Sequence, residues 1–156
     1  MLLREEHRNP QPGFVAQALL DRMESHGLTT GAYNLPEWEN NPEDLRRCLD
    51  SLFQSTPPSA LIIDEPFLFN MAQQHLARKG ILAPQHVSLV CADPDSTFDW
   101  FCPSIAHVRW DSRKLGRRIV SWANNVARGK DDRRQSLIKA EFVEGGTIGP
   151  APGFGP

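Results

Sequence analysis

Residues 58–91 read PSALIIDEPFLFNMAQQHLARKGILAPQHVSLVC, and their pattern is the clearest indication of the fold. Two apolar runs, 60–63 and 87–91, have the length of buried strands, and they flank a segment that starts at Pro66 and ends near Gly80. A proline fits the first turn of a helix because that position needs no amide donor, and a glycine readily ends one. The stretch therefore predicts a strand, a helix and a second strand parallel to the first, with the strands covered on both faces.

The same alternation of helix and strand patterns continues on both sides of this unit. Steps of three and four residues between apolar positions predict helices, and short apolar runs predict strands. The predicted elements are helices at 13–26, 41–53 and 112–128 and strands at 31–35, 105–110 and 137–143. This order is typical of an α/β fold in which a doubly wound, mainly parallel sheet carries helices on both faces.

Composition limits the possible functions. A chain of 156 residues fits one domain. The net charge of −2 comes without a basic stripe, which argues against direct binding to DNA. The three cysteines have irregular spacing, so we expect reduced thiols and a cytoplasmic location. Residues 1–8 lack the apolar region of a signal peptide, and no run is long enough to span a membrane, so no membrane partner is expected.

Motifs for catalysis and for metal binding are missing from the sequence. The five histidines have no metal-ligand spacing, and the acidic residues Asp93, Asp95 and Asp99 lack the glycine and the terminal glutamate of a calcium loop. No glycine-rich phosphate loop and no nucleophile with its base can be identified. We therefore expect a protein that is not an enzyme and that uses no metal or cofactor.

Ligands of open α/β sheets bind beyond the carboxyl ends of the strands, and this rule selects candidate site residues. The candidates that follow predicted strands are Trp38, Glu65, Asp93 and Trp110. An indole can stack on the apolar face of a sugar ring, and carboxylates accept hydrogen bonds from its hydroxyls. The sequence thus predicts that Trp38, Asp93 and Trp110 line one mouth that takes a sugar or a related metabolite.

Structural roles compete with ligand binding for some residues after the strands. Aspartates in this position often cap the next helix, and we expect Asp64 to cap the helix at Pro66 and Asp111 to cap the helix at 112–128. Either tryptophan is also suited to packing in the core or in an interface. Among the histidines, His75 is expected on an exposed or half-buried helix face.

From Pro58 to about Thr147 the sequence resembles the effector domain of the lactose/galactose repressor (LacI/GalR) family. The most specific motif is the helix-ending Gly80 followed by Pro84-Gln85-His86-Val87-Ser88-Leu89-Val90. Further matches are the strand after Pro58, the loop and helix start at Pro103-Ser104-Ile105 and Asp111 with Leu115-Gly116, and the upstream Gly13-Phe14 with Ala18-Leu19.

The resemblance implies a fold, a function and some residue roles. It implies one lobe of a periplasmic-binding-protein-like type I fold, which senses a small effector for a transcription regulator that binds DNA only through a headpiece outside this chain. Asp93 falls on the sugar-hydroxyl aspartate of the family, and Trp38 on its aromatic residue under the ligand. The chain departs from the family pattern at Pro10, at Glu65-Pro66 and at Gly145, so an altered pocket is expected.

The resemblance also implies the organisation of the chain. Residues 1–110 form the C-terminal effector lobe, 111–136 a crossing helix that would pack on the first lobe, 137–147 a return strand and 148–156 a disordered tail. Without the first lobe, Ile119, Trp122 and Val126 would be open to water. Such apolar patches usually mark interfaces, so we expect a homodimer in which this stripe is covered.

Two other interpretations stay open at the level of sequence. A solute-binding protein of a transport system shares the fold. An enzyme on a flavodoxin-like sheet, using Asp93 and Glu65, is the third possibility. An export signal encoded upstream of Met1 would favour the transport protein, and a helix-turn-helix pattern there would favour the regulator.

Overall fold

The computed structural model describes residues 1–150 of the chain. Four α-helices and four strands follow an N-terminal segment, and the first two helices both precede the first strand. The helices are α1 (Phe14–Ser25), α2 (Pro42–Ser55), α3 (Pro66–Arg78) and α4 (Ser112–Ala127). The strands are β1 (Ala60–Ile63), β2 (Ser88–Cys91), β3 (Ala106–Trp110) and β4 (Ala140–Val143).

The four strands form one sheet in the order β1-β2-β3-β4. Strand β1 pairs with β2, and β2 with β3, in parallel, whereas β4 runs antiparallel to β3. Leu2 extends the sheet beyond β1 through a parallel bridge to Ile63. The prediction of a mainly parallel α/β sheet is therefore confirmed, and so is the strand–helix–strand unit of residues 58–91.

The main core lies where α3 packs against the sheet and α2 packs against α3. Leu45 and Leu49 of α2 are buried at the four-residue spacing that puts side chains on one helix face. From α3, Phe69 and Leu76 are buried together with Leu68 and Ala72. Asn41 caps α2 by accepting hydrogen bonds from the Glu43 and Asp44 amides.

The predicted strand at 31–35 is wrong. Residues Ala32–Asn34 form a 3₁₀ turn instead. The Asn34 side chain accepts the Gly31 amide at 2.9 Å, and this local bond competes with pairing in a sheet. The outer position beside β1 is also occupied already, because Leu2 donates to Ile62 O and accepts from the Asp64 amide.

The segment after β4 is tied to the middle of the sheet through Thr147. This buried hydroxyl donates to Leu89 O at 2.8 Å and accepts the Ala106 amide at 2.9 Å. Gly145 approaches β3 so closely that a Cβ atom there would lie 2.3 Å from Ala106 N, and only glycine fits. Of the tail predicted to be disordered, Gly149 bonds to Ser88, and 151–156 lie outside the described residues.

Candidate ligand-binding site

The carboxyl ends of the parallel strands gather polar side chains at one edge of the sheet. Asp64 directly follows β1, Asp93 lies two residues after the end of β2, and Trp110 is the last residue of β3. The Ala92 amide donates to Ile63 O at 2.7 Å, which keeps the loops after β1 and β2 side by side. This edge is where the topology places ligands in open α/β sheets.

Asp93 and Trp110 are in direct contact at this edge. The Trp110 Nε1–H donates to Asp93 Oδ1 at 2.9 Å, and both side chains are half-buried. Among the described residues, Oδ2 of Asp93 has no hydrogen-bond partner. An oxygen that can still accept hydroxyl hydrogen bonds thus lies next to an aromatic ring, which is the chemistry that a polyhydroxy ligand requires.

The environment of Cys91 shows that several carboxylates share this edge. The pKa of the Cys91 thiol is raised to about 12, mainly by burial and to a lesser extent by the negative charges of Asp93, Asp64 and Asp95, against the lowering effect of a hydrogen bond from the Asp93 amide. The thiol is therefore neutral near pH 7. Since a thiolate is the reactive form, Cys91 packs as a small apolar residue.

The loop after β2 is braced by Asp95. Its carboxylate accepts the Thr97 amide at 2.7 Å and the Thr97 hydroxyl at 2.6 Å. These hydrogen bonds hold the pKa of Asp95 below its ordinary value, and the bond from the Thr97 hydroxyl has the larger effect. The turn positions Asp93 two residues earlier without using the Asp93 carboxylate.

Glu65 lies in a separate cluster on the other side of β1. Its Oε1 forms an ion pair with Arg4 Nη1 at 3.1 Å, and Arg4 Nη2 also pairs with Glu6 at 2.7 Å. The Nε atom of Arg4 is buried and has no hydrogen-bond partner in residues 1–150. Arg4 lies two residues after Leu2, which bridges to β1, so the rule that selected Asp93 also places Arg4 at this edge of the sheet.

Asp64 belongs to the same cluster, and the prediction that it caps α3 is wrong. The residue before α3 is Glu65, which makes no side-chain capping bond. The Asp64 carboxylate turns to the N-terminal segment, where it accepts from His7 Nδ1 at 2.5 Å and from the Arg4 amide at 3.3 Å. By contrast, the predicted cap of α4 is confirmed, because Asp111 accepts the Arg113 amide at 3.0 Å.

Trp38 is not joined to the Asp93–Trp110 pair. Its ring is only 7% exposed within the core, and its Nε1–H donates to Leu3 O at 3.0 Å. The Arg8 guanidinium lies 5.7 Å from the ring centroid. Leu3 follows the outermost position of the sheet, and β3 lies three strand spacings away, or about 14 Å. The structure therefore brings together two of the three residues predicted to share a mouth.

Helix α4 carries an uncovered apolar face. None of its 16 residues, all of them described, is buried. Ile119, Trp122 and Val126 are 52%, 48% and 47% exposed. The Arg118–Asp132 ion pair at 2.8 Å fixes the segment after α4 against the helix.

Two further observations concern the residues that the structure describes. Within them, no helix combines the length and the apolar character needed to cross a bilayer. Residues 1–150 also contain no group of three or more His, Cys, Asp or Glu side chains placed to hold a metal ion. His75 is half-buried on α3, as predicted, and pairs with Asp50 at 2.7 Å.

Comparisons with known proteins agree with this architecture. The profile of the periplasmic binding protein-like domain family matches residues 1–148. A search of curated proteins found no match. Among solved structures, a LacI family transcriptional regulator from Bifidobacterium animalis subsp. lactis has a TM-score of 0.71 at 18% identity, over 86% of this chain and 49% of that one.

Two further neighbours were solved with sugars. A LacI family regulator from Enterococcus faecium with bound ribose has a TM-score of 0.75 at 11% identity, covering 96% of this chain and 55% of that one. A regulator from Arthrobacter sp. FB24 in complex with lactose has a TM-score of 0.72 at 14% identity, covering 95% and 56%. This chain spans about half the length of these structures, and at such identities the likeness is one of fold.

Proposed function

Because the chain belongs to the periplasmic binding protein-like domain family, we propose that it is the ligand-sensing half of a LacI-type transcription regulator. Its ligand is a small polyhydroxy metabolite, with a sugar as the first candidate. The observation that carries the proposal is the contact between Asp93 and Trp110 at the carboxyl edge of the sheet. Asp93 accepts hydroxyl hydrogen bonds, and the Trp110 ring packs against the apolar face of the ligand.

The proposed mechanism is a shift between open and closed forms of a two-lobe protein. This chain supplies one lobe, and the ligand binds more tightly to the closed form, in which the other lobe covers the sheet edge. The closed form changes the spacing of DNA-binding headpieces outside these residues and thereby the affinity for the operator. The solved neighbours, regulators of about twice the length, support this arrangement.

Binding without catalysis is part of the same proposal. The neutral Cys91 thiol supplies no nucleophile near pH 7, and the carboxylates at the edge are either free to accept or engaged in structural bonds. A cytoplasmic location follows from the role as a regulator.

Self-association is the second part of the proposal. The stripe of Ile119, Trp122 and Val126 is too apolar to stay in water, and in the isolated chain a second copy covers it. In the longer regulator, the first lobe takes that place.

The test of the ligand site uses NMR titration of the 156-residue chain with ribose, glucose and galactose. Binding is expected to shift the Trp110 indole signal. The Asp93→Asn variant is expected to bind the sugar at least roughly tenfold more weakly, a loss of ~1.4 kcal/mol in binding free energy. Asp99→Asn is the matched control, because Asp99 is an exposed carboxylate of the same loop. Equal weakening by both variants would contradict the site.

A further inference from the structure

Trp110 also lines a cavity of about 410 Å³ formed by the end of β3, the start of α4 and the start of β4. The cavity has more positive than negative side chains. Its charged residues are Arg109, Arg113, Lys114, Lys139, Asp111 and Glu141. Four cations and two carboxylates leave a net charge of +2, whereas the whole chain has −2.

The two carboxylates are already used by the two arginines. Arg109 Nη2 lies 3.3 Å from Glu141 Oε2, and Arg113 Nε lies 3.0 Å from Asp111 Oδ1. The hydrogen bond from Arg113 holds the pKa of Asp111 below its ordinary value, so this carboxylate is ionised at neutral pH. In residues 1–150, neither Lys114 nor Lys139 forms an ion pair, and the net charge of the cavity therefore resides on these two ammonium groups.

The topology explains why two distant lysines line one cavity. Lys114 lies in the first turn of α4, directly after β3, and Lys139 directly precedes β4. Since β4 is antiparallel to β3, its first residue Ala140 pairs with Trp110, the last residue of β3. Both lysines thus line the same cavity as Trp110, whose indole N–H donates to Asp93.

We propose that this cavity binds the phosphate group of a phosphorylated sugar, whose hydroxyl groups contact the Asp93–Trp110 pair. The inference rests on the proposed function, because it adds a charged subsite to the same ligand site. Two uncompensated lysines match the charge of a phosphate monoester, which carries about −1.5 to −2 at neutral pH, better than the single charge of a carboxylate. Lysine is also a common phosphate ligand.

The helix end itself is not the anion site. Asp111 occupies the N-cap position of α4 and accepts the Arg113 amide, so a negative charge is already present there. The phosphate is held by the side chains of Lys114 and Lys139. Because both are exposed, the contribution of these charges falls as salt is raised.

The test compares each sugar with its phosphate ester on the 156-residue chain by NMR titration. The probes are ribose with ribose 5-phosphate, glucose with glucose 6-phosphate, and glucuronate as the carboxylate of similar shape. We expect at least one ester to bind roughly tenfold more tightly than its parent sugar, or ~1.4 kcal/mol. Glucuronate is expected to gain less, and the gain of the ester is expected to shrink in high salt.

The variant for this test is Lys114→Gln with Lys139→Gln, and the matched control is Lys79→Gln with Lys130→Gln. The first pair should abolish the advantage of the ester and leave the affinity for the parent sugar unchanged, and the control should change neither. The inference is overturned if no ester binds, if no ester binds more tightly than its sugar, or if the advantage survives in the Lys114/Lys139 variant. Sugar binding that depends on Asp93 without any gain from phosphate would refute the inference and leave the proposed function standing.

Discussion

The indole N–H of Trp110 donates to Oδ1 of Asp93 at 2.9 Å, so the last residue of β3 is held against the loop that follows β2. The two residues are 17 positions apart in the chain and meet only because β2 and β3 are parallel neighbours. This bond fixes the carboxylate and the ring relative to each other before any ligand arrives.

Trp110→Phe removes the donor and keeps an aromatic ring. We expect a loss of about 1 kcal/mol in the free energy of unfolding, since a half-buried hydrogen bond to a carboxylate contributes at this level. Urea unfolding followed by circular dichroism measures the change. Trp100→Phe is the control, because Trp100 is highly exposed and should cost almost nothing. Equal stability of the two variants would show that the bond does not hold the site.

The His7–Asp64 pair predicts a dependence of stability on pH. The hydrogen bond to Asp64 raises the pKa of His7 above its ordinary value, and the nearby charges of Asp64, Glu6 and Glu65 add to this against a smaller opposing effect of burial. A raised pKa in the folded state means that protonation stabilises the fold. This stabilisation is complete below about pH 6.5, the value in the unfolded chain, and is lost as the pH rises through the folded value.

His7→Gln should therefore destabilise the protein more at about pH 6 than at about pH 8.5. Urea midpoints at the two pH values measure the difference. His26→Gln serves as the control, because His26 is exposed at the end of α1. If the cost of His7→Gln were the same at both pH values, the pair would not carry the predicted charge.

The apolar stripe of α4 predicts a concentration-dependent dimer. The double variant Ile119→Gln with Trp122→Gln should be monomeric by size-exclusion chromatography with light scattering, because the covered area loses its two largest apolar groups. Val120→Gln on the adjoining face of the same helix should leave the dimer intact. A clean monomer of the unaltered chain at all concentrations would contradict this prediction.

The burial of Phe69 predicts a large contribution of this side chain to the free energy of unfolding. Its ring is fully buried on α3 and lies 6.0 Å from that of Phe98 between centroids. Phe69→Ala is expected to cost ~3–5 kcal/mol in the free energy of unfolding, through lost burial and the cavity left behind. Phe67→Ala on the same helix should cost less than about 0.5 kcal/mol, since that side chain is 64% exposed. Thermal and urea unfolding of both variants provide the comparison.

Periodicity, proline and glycine act locally, and from them the sequence predicts the type and order of most elements. The unit of residues 58–91, the cap at Asp111 and the apolar stripe of α4 follow from such signals. The segment at 31–35 misled this reasoning, since the bond between Asn34 and Gly31 depends on a turn that periodicity does not detect.

Which of the residues after the strands meet follows from the tertiary structure. It joins Asp93 to Trp110, turns Asp64 towards His7 instead of the start of α3, buries Trp38 against Leu3, and brings Lys114 and Lys139 to one cavity. The physical reason is that strand order and strand direction set distances across the sheet. The pattern of elements predicts the parallel direction of β1 and β2, but the order of the strands across the sheet and the antiparallel pairing of β4 are not encoded in the spacing of residues along the chain.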